Sequence, residues 1–129
     1  MKNKNVAGVN NNLTKTKIRM PTLFAKIIKR EIPADIVYED EHVVAFKDIN
    51  PQAPVHLLIV PRQVIRGLDD LPEDGDHKHI LNAAKKIAQE FNLKDGYRLV
   101  INQGKDGGQT VEHLHAHLLG GRTLHWPPG

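Results

Sequence analysis

Apolar positions change their spacing along this 129-residue chain, and each change marks an element. Leu23, Phe24, Ile27 and Ile28 share one helical face behind Thr22, a residue suited to cap an N-terminus, and Pro33 limits the helix. Runs 36–38 and 43–46 are β-branched and aromatic and flank Glu39 to His42, which predicts a hairpin. The run 55–60, closed by Pro61, reads as a strand buried on both faces. Residues 67–76 are acidic and broken by Pro72 and Gly75, as in a loop or helix entry. Ile80, Ala83, Ala84, Ile87, Ala88 and Phe91 then follow the spacing of a long amphipathic helix starting near Asp76. A fourth strand over 97–102, a glycine loop over 104–108 and a fifth strand over 111–119 complete the pattern. Helices and strands are segregated, so the predicted class is α+β: a mainly antiparallel five-stranded sheet with two helices.

Residues 1–20 show neither period, and disorder is the expected state of this Asn-rich extension. Met20 before Pro21 offers an alternative start, and a targeting segment is a weaker reading because Lys and Asn dominate and Ser is missing. Residues 21–129 form one expected domain, with 40% apolar and 26% charged composition over the whole chain. The net charge of +3 does not signal nucleic-acid binding. The extension has five basic residues and no acidic one, which leaves 13 Lys and Arg against 15 Asp and Glu in the remainder. Apolar runs such as 57–60 fall far short of the roughly 20 residues of a membrane span. A soluble, cytoplasmic protein is expected.

Cys and Ser are absent, which excludes disulfides, thiolate metal sites and the commonest nucleophiles. Eight His turn attention to imidazole chemistry. His113-Leu114-His115-Ala116-His117-Leu118-Leu119 alternates imidazole with apolar side chains, so on a strand three His share one face and Leu114, Ala116 and Leu118 the other. Zinc is a rival reading, but Cα atoms of His113 and His117 on a straight strand lie about 13 Å apart. Convergence on one ion would need two of the row plus His56 from another strand. Gly104, Gly107 and Gly108, with Asn102 before them and Thr110 after, suit a loop that presents N–H groups to a phosphate. No Walker-type GK[ST] follows.

The segment 113–119 matches the His-φ-His-φ-His-φ-φ signature, φ being apolar, and the chain resembles the histidine triad family. Its ending, Gly120-Gly121-Arg122 through Trp126-Pro127-Pro128-Gly129, is similar to the Hint branch, as are Lys26-Ile27-Ile28, Glu31-Ile32-Pro33-Ala34 and the run from Phe46 to Pro54. The resemblance covers 23–129. It implies purine nucleoside phosphoramidase activity, a two-fold homodimer and an AMP-like purine nucleotide as partner, with no cofactor, metal, membrane or nucleic acid required. Carried over, His115 is the nucleophile, His117 contacts the phosphate or leaving group, and His113 and His56 support them. Asp48 binds the ribose hydroxyls, Ile49 with Phe24 and Phe46 walls the base pocket, and Asn102, Gly108, Gln109 and Thr110 surround the phosphate. His42, His77, His79 and His125 match no motif position and are expected on the surface.

Two departures, a small Ala116 and a charged Glu112 where an aromatic is common, bear on substrate preference more than on reaction type. Retention of His117 favours transfer to water, since a transferase branch has Gln there. Dinucleoside polyphosphate hydrolases of the same family, and a nucleotide-binding module without turnover, remain open alternatives.

Overall fold

The computed structural model describes residues 22–129, and in it Thr22 caps the first helix, α1 (Leu23–Ile28), its Oγ1 accepting the Ala25 N–H at 2.9 Å. The expected disorder of residues 1–20 lies outside the described residues. Phe24, Ala25 and Ile27 form the buried face of α1. The predicted hairpin is β1 (Ile36–Glu39) and β2 (Val43–Lys47). Asp40 closes its turn by accepting the His42 and Val43 N–H groups through Oδ1. β3 (Val55–Pro61) follows, then α2 (His77–Glu90), β4 (Tyr97–Val100) and β5 (Ala116–Gly120).

The five strands lie in the order β1-β2-β3-β5-β4 and every pairing is antiparallel. β3 is the central strand, which explains its unbroken apolar run. Leu57 and Ile59 face the core built with Ile80, Ala83, Ala84 and Ile87 of α2. Leu58 and Val60 face the opposite way, into a second cluster with Phe24 and Ile27 of α1 and Phe46 of β2. One sheet therefore separates two cores, and each helix covers one of them. No helix among the described residues is long and apolar enough to cross a membrane.

Two strands are shorter than their patterns suggest. β4 ends at Val100 and not at 102, and β5 begins at Ala116 and not at 111. The ladder between β3 and β5 stops at the pair Ile59 and Ala116, because Val60 and Pro61 continue only with β2. Upstream of it, the Leu114 N–H donates to the Ile65 carbonyl and the His113 imidazole takes the Pro61 carbonyl. The alternation nevertheless survives, since Leu114, Ala116 and Leu118 all enter the α2-side core.

Ile87 is fully buried at the centre of that core. Ile87→Ala should lower the unfolding free energy by about 2–5 kcal/mol through lost burial and a residual cavity. Urea unfolding followed by circular dichroism measures it. A loss below about 1 kcal/mol would mean that α2 does not anchor the sheet as described.

Candidate active site

The sequence brings imidazoles to the α1 side of the sheet, and hydrogen bonds then fix which nitrogen of each ring carries a proton. His113 has no solvent exposure. Its Nε2 lies 3.0 Å from the Pro61 carbonyl, which can only accept, so Nε2 is the donor. Nδ1 of the neutral ring is then an acceptor, and the Thr22 hydroxyl, 2.9 Å away, donates to it. Thr22 thus links the N-cap of α1 to the triad. Its capping role is visible in local sequence, whereas its bond to a residue 91 positions away is not.

The same logic fixes the other rings. His115 Nδ1 lies 2.8 Å from the His113 carbonyl and must donate, which leaves an unprotonated Nε2 on the neutral ring. His56, on β3, receives the Gln52 N–H at Nδ1 and so carries its proton on Nε2. That proton faces two acceptors, His117 Nδ1 at 3.0 Å and Asp48 Oδ2 at 3.4 Å. His117, accepting at Nδ1, holds its own proton on Nε2. The rings of His115 and His117 lie 5.1 Å apart, one offering a lone pair and the other a proton.

Burial shifts these groups. Desolvation holds His56, His113 and His117 below the ordinary imidazole value. The Asp48 charge opposes this at His56 and His117, and the Pro61 carbonyl opposes it at His113. His115 adds to the lowering at His113 and His117.

A cleft of about 410 Å³ opens over His115 and His117. Phe24 and Phe46 meet edge to face at 5.5 Å within it, and Phe24 also meets His115 at 5.0 Å. Asp48 and Ile49 stand at its rim, Ile49 being 99% exposed, and Asp48 is braced by the Asn50 N–H on Oδ1. Ile32, Pro33, Leu58 and Val111 line it too, and none had been assigned to the site. Their signal was only apolar character, shared with any core residue.

Of the expected phosphate residues, Thr110 lines the cleft. Asn102 is half-buried, and Gly108 adopts φ +84° in the loop. The Gln109 amide is engaged in holding that loop: Oε1 accepts the Gly104 N–H, and Nε2 donates to the Arg66 and Val111 carbonyls. A Cβ on Gly107 would lie 2.4 Å from the Gln103 carbonyl oxygen, so the turn requires glycine there.

The remaining histidines correct the surface reading. Only His125 is exposed. His42, His77 and His79 are half-buried, and His77 Nδ1 is buried with no hydrogen-bond partner. Local sequence showed them flanked by charge and gave no sign that strand and helix would bring His42 and His79 together. Metal-ligand geometry also differs from the expectation. Among the described residues, Asp48, His56 and His117 bring one ligand atom each within 4.8 Å of one another, so a carboxylate takes the place of a second triad His.

The family model described as "HIT domain" matches residues 29–124. An "Uncharacterized HIT-like protein" of Synechococcus elongatus is 57% identical over 84% of this chain and 96% of its own length. A "14 kDa zinc-binding protein" of Zea mays is 55% identical over 84% of this chain and 88% of its own. The crystal structure of a HIT family hydrolase from Legionella pneumophila superposes with a TM-score of 0.78 at 51% identity, covering 83% of this chain and 98% of that one.

The lowered imidazoles set a pH dependence. Near and below the usual value of about 6.5 the unfolded chain binds protons that the folded chain refuses. The contribution of His56, His113 and His117 is therefore complete above about pH 6.5 and is lost as the pH falls toward their lowered folded values. Urea midpoints should drop between pH 7.5 and 5, and His113→Asn should flatten the drop. A midpoint that is constant or rises on acidification contradicts this assignment.

Proposed function

From the premise that the chain belongs to the HIT domain family and has the fold of its hydrolases, we propose that it cleaves the P–N bond of purine nucleoside 5′-phosphoramidates through a nucleotidyl-histidine intermediate. The observation that carries this reading is the complementary protonation of the facing rings: Nε2 of His115 is a lone pair and Nε2 of His117 a donor.

The base enters the cleft between Phe24, Phe46 and Ile49, and Asp48 accepts the ribose hydroxyls. Thr110, Asn102 and the N–H groups of the glycine loop receive the phosphoryl oxygens as charge moves onto them. His115 Nε2 attacks phosphorus while its Nδ1–H stays on the His113 carbonyl, so the ring gains charge without turning. A bound phosphoryl anion favours protonated His117, against the burial that lowers it in the free protein. The His56 proton then turns to Asp48. The departing nitrogen takes its proton from His117 and leaves as neutral amine. Water attacks the nucleotidyl-imidazole, returns a proton to His117 and releases the nucleoside monophosphate.

The maize relative is named for zinc binding, and Asp48, His56 and His117 are the residues that would hold an ion in this cleft. The proposed steps use these groups as base, donor and hydrogen-bond partner and assign no role to a metal.

His115→Ala should lose at least about 10³-fold in turnover while retaining nucleotide. Rapid quenching of the wild type with a fluorogenic adenosine phosphoramidate should place the nucleotidyl mass on the peptide containing His115, and chelator should leave turnover unchanged. An adduct on His113 or His117, or substantial turnover by the variant, overturns the nucleophile. Nucleotide retained by the wild type without release of amine identifies a binding module, and a loss to chelator restored by zinc identifies a metal site.

A two-fold homodimer belongs to the same reading. β4 is an outer strand, with Tyr97 exposed on it. The Arg98 guanidinium donates to the His125 carbonyl, laying the C-terminal segment beside that strand with Trp126 81% exposed. Large aromatic surface on an open edge suits a second copy. Sedimentation at micromolar concentration should give a dimer, and deleting residues 123–129 should alter substrate preference more than stability. A monomer under those conditions refutes it.

A further inference from the structure

We infer that His42, Asp76 and His79 form a second, separate site for a divalent cation of the zinc class, one that joins the β1–β2 turn to the start of α2. The three residues each bring a ligand atom within 4.8 Å of the other two and are half-buried. The two imidazoles stack at 3.6 Å with only 4° between their planes. Parallel rings at that distance gain little from each other's quadrupoles, since aromatic pairs favour offset or edge-to-face contact. Their in-plane lone pairs run parallel, so holding one ion turns the rings out of this stack, and the weak ring–ring attraction leaves little to oppose the turn.

Asp76 points the same way. It occupies the N-cap position of α2, where an Asp ordinarily accepts an amide N–H, yet its side chain makes no capping bond. Its carboxylate is therefore available, next to two rings that are acceptors when neutral. Glu41 Oε1, 3.2 Å from His42 Nε2, adds a second carboxylate beside the pair. Two imidazoles and a carboxylate are a zinc-type set, with a fourth position left for water. Bonds of about 2.0–2.1 Å in a tetrahedron put ligand atoms roughly 3.4 Å apart. Closing the gap from 4.8 Å takes rotation of the two rings out of their parallel stack, so that their in-plane lone pairs converge.

The site does not depend on the phosphoramidase reading. Val43, next to His42, and Ile80, next to His79, belong to the α2-side core, whereas His115 and His117 lie on the α1 side of the sheet. An ion here fastens the turn to the helix and raises stability by mass action without touching the cleft.

The test uses the full chain, stripped with chelator and titrated with Zn²⁺ by calorimetry, in the His117→Gln background to remove the cleft cluster. One equivalent should bind and raise the melting temperature. His42→Gln and His79→Gln should each weaken binding at least tenfold and abolish the melting shift, with Asp76→Asn weakening it less. Wild-type turnover should not respond to the ion at this site. Zn²⁺ affinity unchanged by either His substitution, or no binding in the His117→Gln background, overturns the inference. If a variant fails to fold, imidazole resonances of His42 and His79 in the wild type should shift with substoichiometric Zn²⁺, and unmoved resonances are equally decisive against it.

Discussion

The arrangement hangs on one buried, neutral imidazole. His113 is tied at Nδ1 to the cap of α1 and at Nε2 to the last carbonyl of β3, so one ring joins a helix, the central strand and the approach to β5. A charge there would be desolvated without a countercharge, which is the most expensive kind of burial. Two complementary bonds make the neutral ring acceptable in a core. The main chain of the same residue extends the effect, because its carbonyl holds His115 Nδ1. Anchor and orienting group are thus side chain and backbone of a single position.

This economy depends on the two faces of the sheet having different chemistry. Toward α2 the sheet presents buried aliphatic residues, with Tyr38 packed beside them, in a close-packed core. Toward α1 it presents Phe46 and the imidazole row, packed against Phe24 of the helix, and there polar atoms are satisfied one by one by carbonyls, a hydroxyl and each other. The α2 face gives rigidity, so the α1 face can be held to hydrogen-bond precision while staying open as a cleft. Thr22 mediates between the two requirements, since the atom that caps α1 also donates to the His113 ring nitrogen that the Pro61 carbonyl leaves as acceptor.

Much of this was legible in the chain because it is local. The helix period of residues 80–91, the buried run of β3 and the alternation of 113–119 rest on side-chain direction, which neighbours in sequence determine. The histidine motif also carried the likeness to a family that the fold and the comparisons support. What escaped is non-local. The partnership of Thr22 with His113, the pairing of His56 with His117 and the stacking of His42 on His79 each require the topology first. The strand ends were misjudged for a related reason. Alternation continues through 111–115, but a ladder needs a partner strand, and β3 offers none beyond Ile59 on that side.

That early end of the ladder is what makes the site possible. Were β5 to continue upstream in register, the backbone at 113–115 would be committed to β3. Instead Pro61, which lacks an N–H, closes β3 while pairing only with β2, and its carbonyl is left for the His113 ring. The Leu114 N–H goes to Ile65, and the His113 carbonyl turns to His115 Nδ1. Each backbone group released from the sheet finds a partner that positions an imidazole. The polarity of the facing rings then follows from their second nitrogens: a carbonyl acceptor leaves His115 a free lone pair, and a donor from His56 leaves His117 a free proton. Two chemically identical side chains two residues apart come to present a lone pair and a proton through what holds each ring's other nitrogen.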